Sequence, residues 1–282
     1  MPVIVPPTPA PTTILTATPK PTATGQPALT PSPGEIPVLA HGDYNGDGSS
    51  DIALFRPSTG LWAIRGITRC YFGSSEDIPA SGDYNGDGTG QIAIFRPATG
   101  LWAIKDQGRI YFGRRDDTPV PADYNGNGKD DIFVYRPATG LWAIRGVTRA
   151  YFGGTGDIPL PGDYNGAAAA GIAIFRPSSG LWSIRGEAPV YFGRRDDTPV
   201  PVDYTGDGVN DLAIFRPVTG LWAIKDLTRF YFGRQDDRPI PADYDGAGDC
   251  DIAIFRAADG FWAIRGVTRV YYGSSGDIPV VR

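Results

Sequence analysis

The 282-residue sequence contains a single histidine, His41, and only two cysteines, Cys70 and Cys250. Two cysteines cannot build a disulfide framework, so we expect two free thiols or at most one bridge. Softer metals prefer histidine and cysteine ligands, which this chain cannot supply in number. No Ser/His/Asp, Cys/His or phosphate-cradling pattern is found, and paired carboxylates occur only in the loops described below. The sequence therefore predicts a protein that is not an enzyme.

Excess positive charge and long apolar runs are also missing. The formal net charge is −5, whereas a nucleic-acid-binding protein needs a basic surface. No apolar run approaches the roughly 18 residues of a membrane-spanning helix. The N-terminus lacks the basic region and apolar stretch of a secretory signal, so secretion is not directly indicated. We predict neither a nucleic-acid partner nor a membrane span.

What the sequence does contain is a 40-residue repeat. An Asp-Tyr pair recurs six times between Asp43 and Asp243, and all six tryptophans keep the same spacing from Trp62 to Trp262. Each repeat holds four short segments, which in the first repeat are 36–43, 51–57, 61–66 and 68–73. They are rich in β-branched and aromatic residues, are separated by turn signals and are too short for helices, so they predict strands.

The middle strands of each repeat are apolar on both faces, which predicts burial between stacked sheets. Four strands per 40 residues is typical of one blade of a propeller. We therefore predict an all-β fold, a six-bladed β-propeller of six four-stranded repeats over residues 35–282, with the tryptophans in the core rather than on sugars. An open solenoid is the alternative, but the end repeats lack distinct polar caps.

One segment of the repeat occurs once too often. The Asp-Ile-Pro-like segment is found seven times, whereas the other three segments are found six times. Its copies start at Glu35, Asp77, Asp117, Asp157, Asp197, Asp237 and Asp277. Either Asp277–Arg282 pins the end of the chain, or it competes with Ile36–Val38 for one place in the ring.

Each repeat also carries a loop rich in oxygen-bearing side chains. In DYNGDGSSD these side chains fall at loop positions 1, 3, 5 and 9, and glycines at positions 4 and 6 permit a sharp turn. Oxygen-only ligands suit Ca²⁺, with the Ser49 carbonyl and water completing the shell. Ordinary Asp-Asn-Gly turns are the alternative. Because the spacing recurs, we favour calcium.

The six loops differ in how complete they are, and the first and fifth are the best candidates. Loop four keeps only Asp163 and Asn165 and is predicted to be empty, loop two ends in Gln91, and loop six has Ala247 at position 5. The predicted ligands are Asp43, Asn45, Asp47 and Asp51 (loop one), Asp83, Asn85 and Asp87 (loop two), Asp123, Asn125, Asn127 and Asp131 (loop three), Asp203, Thr205, Asp207 and Asp211 (loop five), and Asp243, Asp245 and Asp251 (loop six).

Segment 71–97, YFGSSEDIPASGDYNGDGTGQIAIFRP, resembles the FG-GAP repeat of integrin-α-like propellers and the related bacterial VCBS repeats. The resemblance lies in Phe72-Gly73, the DxNxDG loop and the apolar strand after it, and it extends over about 35–282. It implies a β-propeller with calcium loops on one face, usually in secreted or surface proteins. The sequence departs from the pattern in its fourth loop, and it has six units where integrins have seven.

Charged residues recur outside the loops as well. An arginine follows each second strand, at 56, 96, 136, 176, 216 and 256. These six cations could hold an anionic ligand, but we favour pairing with an aspartate of a neighbouring blade, such as Asp77 or Asp117. Segments 114–117, 194–197 and 234–237 mix both signs of charge, whereas 74–76 is milder, and we expect them to be solvated.

Residues 1–34 differ from the rest of the chain. Proline and threonine dominate and Lys20 is the only charged side chain, which favours extended polyproline II structure. A flexible or O-glycosylated stalk is one interpretation. However, two uncharged, β-prone patches, Val3, Ile4 and Val5, and then Ile14 and Leu15, favour docking on another copy of the propeller.

These observations lead to three functional hypotheses. The first is a non-enzymatic extracellular or cell-surface structural protein, stabilised by calcium, whose tail docks on a neighbouring copy to build a fibre or surface array. The second is an adhesin or lectin-like module that binds a glycan or surface protein on the face opposite the calcium loops. The third is a non-catalytic accessory domain of a larger secreted enzyme.

Overall fold

The computed structural model describes residues 42–146 and 148–280. Within these residues the elements are β-strands, arranged as six four-stranded antiparallel sheets in a ring. No helix in this part of the chain has the length and apolar character of a membrane span. The predicted six-bladed β-propeller is confirmed. The tail, with Val3, Ile4, Val5, Ile14 and Leu15, lies outside the described residues.

Each blade starts with a very short inner strand that contains a proline. Proline cannot donate to a strand ladder, so it is tolerated here because the inner strand is the edge of its sheet. The inner strands are β4 (Ile78–Pro79), β8 (Thr118–Pro119), β12 (Ile158–Pro159), β16 (Thr198–Pro199), β20 (Asp237–Pro239) and β24 (Ile278–Pro279).

The second and third strands of the blades are mostly buried on both faces, as their doubly apolar sequences predict. The third strand of blade 4 is the exception, since only Trp182 is buried there. The second strands are β1 (Ala53–Arg56), β5 (Ala93–Arg96), β9 (Phe133–Arg136), β13 (Ala173–Arg176), β17 (Ala213–Arg216) and β21 (Ala253–Arg256). The third strands are β2 (Leu61–Ile64), β6 (Leu101–Ile104), β10 (Leu141–Ile144), β14 (Leu181–Ile184), β18 (Leu221–Ile224) and β22 (Phe261–Ile264).

The fourth strand is the exposed outer edge of each blade. In five blades it has four residues, but in the fourth blade it is only Val190–Tyr191, where Pro189 replaces the arginine of the other repeats. The outer strands are β3 (Thr68–Tyr71), β7 (Gly108–Tyr111), β11 (Thr148–Tyr151), β15 (Val190–Tyr191), β19 (Thr228–Tyr231) and β23 (Thr268–Tyr271).

The ring closes by joining the two ends of the described chain. Blades 2 to 6 take four consecutive strands each, starting at β4, β8, β12, β16 and β20, whereas blade 1 combines β24 with β1, β2 and β3. Ile278 pairs with Phe55, and the Val280 amide donates to the Ala53 carbonyl at 2.9 Å. The C-terminal copy of the surplus segment therefore occupies this place in the ring. Ile36–Val38 lies outside the described residues.

The core lies between the blades. Phe55 and Trp62 on one face of blade 1 pack against Ile94 and Leu101 on the facing side of blade 2, and the same contact recurs around the ring. All six tryptophans are fully buried, which confirms their prediction as core residues. Each indole N–H donates to a backbone carbonyl just beyond the outer strand, as Trp62 does to Phe72 at 2.8 Å. Burial therefore leaves no indole donor unsatisfied.

The loops between inner and second strands meet around the axis at one end of the propeller. The amide at loop position 8 donates to the carbonyl at position 1 of the preceding loop. These bonds are Gly90 to Asp43, Asp130 to Asp83, Ala170 to Asp123, Asn210 to Asp163, Cys250 to Asp203 and Ser50 to Asp243, all between 2.5 and 2.8 Å. The six bonds form a closed circle, so the acidic loops share one face. Cys70 and Cys250 are not joined in a disulfide.

Candidate functional site

The aspartate at position 1 organises each acidic loop. In the first loop the Asp43 carboxylate accepts hydrogen bonds from the amides of Gly46 at 2.7 Å and Gly48 at 3.0 Å. Both glycines have positive φ, +78° and +86°, which side chains with a Cβ rarely adopt. Equivalent bonds to the position 1 aspartate recur in the other five loops. The carboxylate therefore holds the turn.

The fourth loop keeps this shape although Asp163 is its only acidic side chain. Asp163 still accepts from the amides of Asn165, Gly166, Ala167 and Ala168. Ala168 stands where the other loops have glycine and has a φ of +55°. The loop conformation is thus set by the position 1 aspartate. It is not in itself a sign of a metal.

The structure gathers carboxylates most closely in the sixth loop. One ligand oxygen from each of Asp243, Asp245 and Asp251 lies within 4.8 Å of the others, the one such group of acids, histidines or cysteines in the described chain. In the first loop Asp47 instead accepts from the Ser49 hydroxyl at 2.6 Å and the Asn45 amide at 2.9 Å. The loop that the sequence ranks below the first and fifth thus has the most convergent acids.

The aspartate at position 9 lies in an unfavourable electrostatic setting. Burial raises the pKa of Asp51, and the negative charges of Asp47 and Asp43 raise it further, against a hydrogen bond from the Tyr44 amide. The pKa values of Asp131, Asp211 and Asp251 are raised in the same way, by burial first and by neighbouring carboxylates next. A divalent cation would offset this repulsion. An all-oxygen donor set of this kind fits calcium.

At the opposite end of the blades, the arginine that ends each second strand forms a two-point salt bridge. Arg96 donates from Nε to Asp77 Oδ1 at 2.7 Å and from Nη2 to Oδ2 at 2.9 Å. The other pairs are Arg56–Asp277, Arg136–Asp117, Arg176–Asp157, Arg216–Asp197 and Arg256–Asp237. All six aspartates are buried. Pairing with aspartate is thus found.

The prediction that the aspartate belongs to a neighbouring blade is wrong. Asp77 precedes inner strand β4, which pairs with β5, the strand that ends at Arg96. Both partners therefore lie in one sheet. The sequence misleads here because the aspartate follows the outer strand of the previous blade in the chain, but it belongs to the next sheet by hydrogen bonding.

A row of side chains continues outward from each arginine. In blade 2, Arg96 is paired with Leu101, and Leu101 with Tyr111 on the outer strand. Directly paired residues on neighbouring strands point to the same face, so these three side chains form one row. The six outer tyrosines of such rows are 71–76% exposed. In blade 6 the middle position is Phe261, whose ring centroid lies 5.2 Å from Arg256 Cζ and 5.2 Å from the ring centroid of Tyr271.

The tyrosine rows were not predicted from the sequence. The signal that could have revealed them is the tyrosine that ends each outer segment, at 71, 111, 151, 191, 231 and 271. The tryptophans also recur every 40 residues, so the spacing alone does not distinguish buried aromatic residues from exposed ones. The tryptophans are core, whereas the exposed aromatic surface belongs to the tyrosines.

Comparison with known proteins assigns the chain to no family. No family model matches the chain, and no curated protein matches it, so the resemblance to FG-GAP and VCBS repeats stays a prediction. Among solved structures, a lectin of Agrocybe aegerita, described for specific recognition of non-reducing terminal N-acetylglucosamine, matches with 14% identity and a TM-score of 0.46. The match covers 87% of this chain and 92% of that chain. A similarity of this size says nothing about what the present chain binds.

Proposed function

We propose that this chain is a non-enzymatic, calcium-stabilised propeller that binds neutral saccharides on the face opposite its acidic loops. The observation that carries this proposal is the row of buried aspartate, arginine, leucine and exposed tyrosine, which is repeated in six blades with phenylalanine in place of leucine in blade 6. Each row lies on the side of its blade that faces the preceding blade, since Leu101 of blade 2 packs against Phe55 and Trp62 of blade 1. The space beside each row, next to the loop that crosses between the two blades, is here called a cleft. The second of the three hypotheses from the sequence is the one that this geometry favours.

The chemistry of the row suits a sugar. The salt bridge occupies Nε and Nη2 of the arginine, and a guanidinium has five N–H donors, so donors remain for hydroxyl oxygens of a ligand. The exposed tyrosine ring offers an apolar surface for the C–H face of a sugar and a hydroxyl for hydrogen bonding. Apolar contact beside a few fixed polar groups is the usual composition of a small-ligand site.

Charge favours a neutral ligand over an anion. Each guanidinium is held at 2.6–2.7 Å by a buried carboxylate, so the pair carries no net charge. An anionic ligand would gain little Coulomb attraction from such a pair and would meet the aspartate's negative charge. The overall charge of −5 acts in the same direction.

Calcium has a structural role in this proposal. The all-oxygen loops would hold it, and binding would offset the repulsion among their carboxylates. Calcium sites with modest affinity are filled at the millimolar concentrations outside cells, and we accordingly propose an extracellular or cell-surface location. A repeated site also suits a surface, because several weak contacts made at once raise overall affinity by about 10² to 10⁴-fold.

The test is titration calorimetry with the methyl glycosides of glucose, galactose, mannose and N-acetylglucosamine, and with that of N-acetylneuraminic acid as the anionic counterpart. We expect at least one neutral glycoside to bind and the anionic one to bind no more tightly. Replacing the six outer tyrosines by serine should weaken binding at least tenfold with little change in melting temperature, since these side chains are exposed. Leu227→Ser, an exposed apolar side chain outside the rows, is the control. Unchanged affinity in the tyrosine variant would refute the proposal.

A further inference from the structure

The six clefts on the proposed saccharide face are of two kinds. The loop that crosses into each blade, here called the interblade loop, comprises the three residues before the buried aspartate. Interblade loops 114–116, 194–196 and 234–236 contain long charged or amide side chains, whereas 74–76, 154–156 and 274–276 contain serine, threonine, glycine and one glutamate. The short-chain loops lead into blades 2, 4 and 1, and the long-chain loops into blades 3, 5 and 6.

The exposure of the paired arginine follows the type of loop. Beside the short-chain loops, the side chains of Arg56, Arg96 and Arg176 are 35%, 36% and 43% exposed. Beside the long-chain loops, Arg136, Arg216 and Arg256 are only 16%, 19% and 15% exposed. The salt-bridge geometry is the same in all six blades, so the difference does not come from the aspartate.

The contacts explain how the loop controls access. Arg56 Nη2 donates to the Ser274 hydroxyl of its interblade loop at 2.9 Å, and Arg96 Nη2 reaches Ser74 at 3.5 Å. The loop therefore runs beside the guanidinium, and the length of its side chains decides how much of that group solvent can reach. In blade 6 the Phe261 ring beside Arg256 adds to the cover.

From these exposures we infer that only three of the six clefts bind saccharide, those of Arg56, Arg96 and Arg176. A ligand must reach the arginine and the tyrosine together, and in blades 3, 5 and 6 the tyrosine is open but the arginine is covered. This inference rests on the proposed function and specifies its sites. The three open clefts lie in blades 1, 2 and 4, so the ligand-binding surface has lower symmetry than the fold.

The experiment exchanges interblade loops between the two kinds of blade. Arg114→Ser, Arg115→Ser and Asp116→Glu together give blade 3 the loop of blade 2, and Ser74→Arg, Ser75→Arg and Glu76→Asp do the reverse. Native mass spectrometry counts bound saccharide at saturation, using whichever of the four neutral methyl glycosides binds most tightly. We expect three per chain in the native protein, four in the opened variant and two in the closed variant.

A second measurement needs no ligand. Phenylglyoxal modifies accessible guanidinium groups, and peptide mapping should show Arg56, Arg96 and Arg176 reacting several-fold faster than the other three. In the opened variant, Arg136 should join the fast group.

The outcomes separate this inference from the proposed function. Six saccharides per chain, unchanged by either exchange, would overturn the three-site inference and leave saccharide binding standing. Equal phenylglyoxal rates at all six arginines would likewise overturn it. Absence of binding by any of the four glycosides would overturn the proposed function and, with it, the three sites.

Discussion

At the scale of single residues, the aspartate at position 1 of each acidic loop sets the conformation of its turn. Asp163 holds its turn through backbone amides in a loop that has no other carboxylate, so the position 1 aspartate is needed for conformation whether or not a cation is present. Loop positions 3, 5 and 9 are not needed for conformation in this way, since their side chains vary from loop to loop while the backbone keeps its shape. A test for calcium should therefore alter those positions and spare the first.

The strain at Ala168 gives a first prediction. A residue with a Cβ in the left-handed region costs about 1 kcal/mol relative to glycine, so Ala168→Gly should raise the free energy of unfolding by about that amount. The matched change is Gly128→Ala at the same position of the third loop, where an added Cβ meets nothing within 4 Å and φ is +81°. It should lower stability similarly. Urea unfolding in excess chelator measures both, and a stability loss in Ala168→Gly would show that the turn is not strained.

The ring-closing salt bridge gives a prediction on pH. Burial raises the pKa of Asp277, but hydrogen bonds from Arg56 and Ser274 outweigh it, and the net pKa lies below its usual value. A carboxyl whose pKa is lowered by folding contributes stability above its unfolded pKa and loses it as pH falls through the folded pKa. Asp277→Asn should therefore reduce stability at neutral pH and flatten its decline in acid. Melting curves of both proteins from neutral to acidic pH would show this, and parallel curves would contradict it.

At the scale of elements, the closing strand is the exceptional one. Five inner strands continue through an acidic loop into the second strand of their own blade, whereas β24 is joined to blade 1 by hydrogen bonds and packing alone. Its bonds are no longer than the others. The Val280 amide lies 2.9 Å from its acceptor, and the equivalent amides of the other inner strands lie 2.9–3.1 Å from theirs. Any difference in stability should therefore come from connectivity.

Hydrogen exchange tests this directly. Local opening needs less free energy in a strand that the chain does not continue into the rest of its sheet than in a strand that it does. The Val280 amide should exchange at least tenfold faster than its counterparts at Ala80, Val120, Leu160, Val200 and Ile240, a difference of about 1.4 kcal/mol. Ala80 and Leu160 are the closest controls, since Asp77-Ile78-Pro79 and Asp157-Ile158-Pro159 both repeat the sequence of the closing strand. Equal protection at all six amides would mean that the ring opens only as a whole.

How far the elements could be predicted depends on whether neighbours in sequence are neighbours in the sheet. Trp62 and Phe55 lie in strands that are apolar on both faces, so the sequence shows their burial without further information. The sequence does not show that Asp77 and Arg96 share a blade. Asp77 follows the outer strand of blade 1 in the chain, but the strand after it pairs within blade 2. The choice between Ile36–Val38 and β24 depended on a pairing that both sequences allow. The exposure of each paired arginine depends on the interblade loop beside it, and the sequence of one repeat does not show which loop lies beside which arginine.

At the scale of the whole molecule, stability should depend on calcium. A site filled at 100 times its dissociation constant adds about 2.7 kcal/mol. Asp47→Ala gives the first loop the alanine that loops four and six already have at position 5. It should leave the melt in chelator nearly unchanged and remove one site's share of calcium stabilisation. Ala167→Ser in the fourth loop is the control. Differential scanning calorimetry with and without chelator measures the melting temperature of both variants. A melting temperature that is the same with calcium and with chelator would refute the assignment of calcium to the loops.

The predicted tail docking is tested on the whole assembly. Ordering 34 residues costs roughly 1–2 kcal/mol each in backbone entropy, less for proline, so docking would need extensive contact by patches such as Val3–Val5 and Ile14–Leu15. Ile14→Asp or removal of residues 1–34 should then abolish oligomers seen by negative-stain microscopy and leave the monomer's melt intact. Thr16→Asp is a control for charge alone. If the protein without residues 1–34 still forms the same oligomers, the docking hypothesis is wrong and the stalk interpretation of the tail is favoured.

The manner of ring closure also bears on how such a unit can be joined to other proteins. The Gly42 carbonyl accepts from the Asp51 amide, and Val280 donates to Ala53, so the two ends of the described chain meet beside the same short stretch of blade 1. Neighbouring entry and exit points are what domain insertion and circular permutation require. A host protein could therefore carry this propeller inside a surface loop with its own flanking segments left side by side, and the point at which the gene starts could move from blade to blade without altering the folded shape.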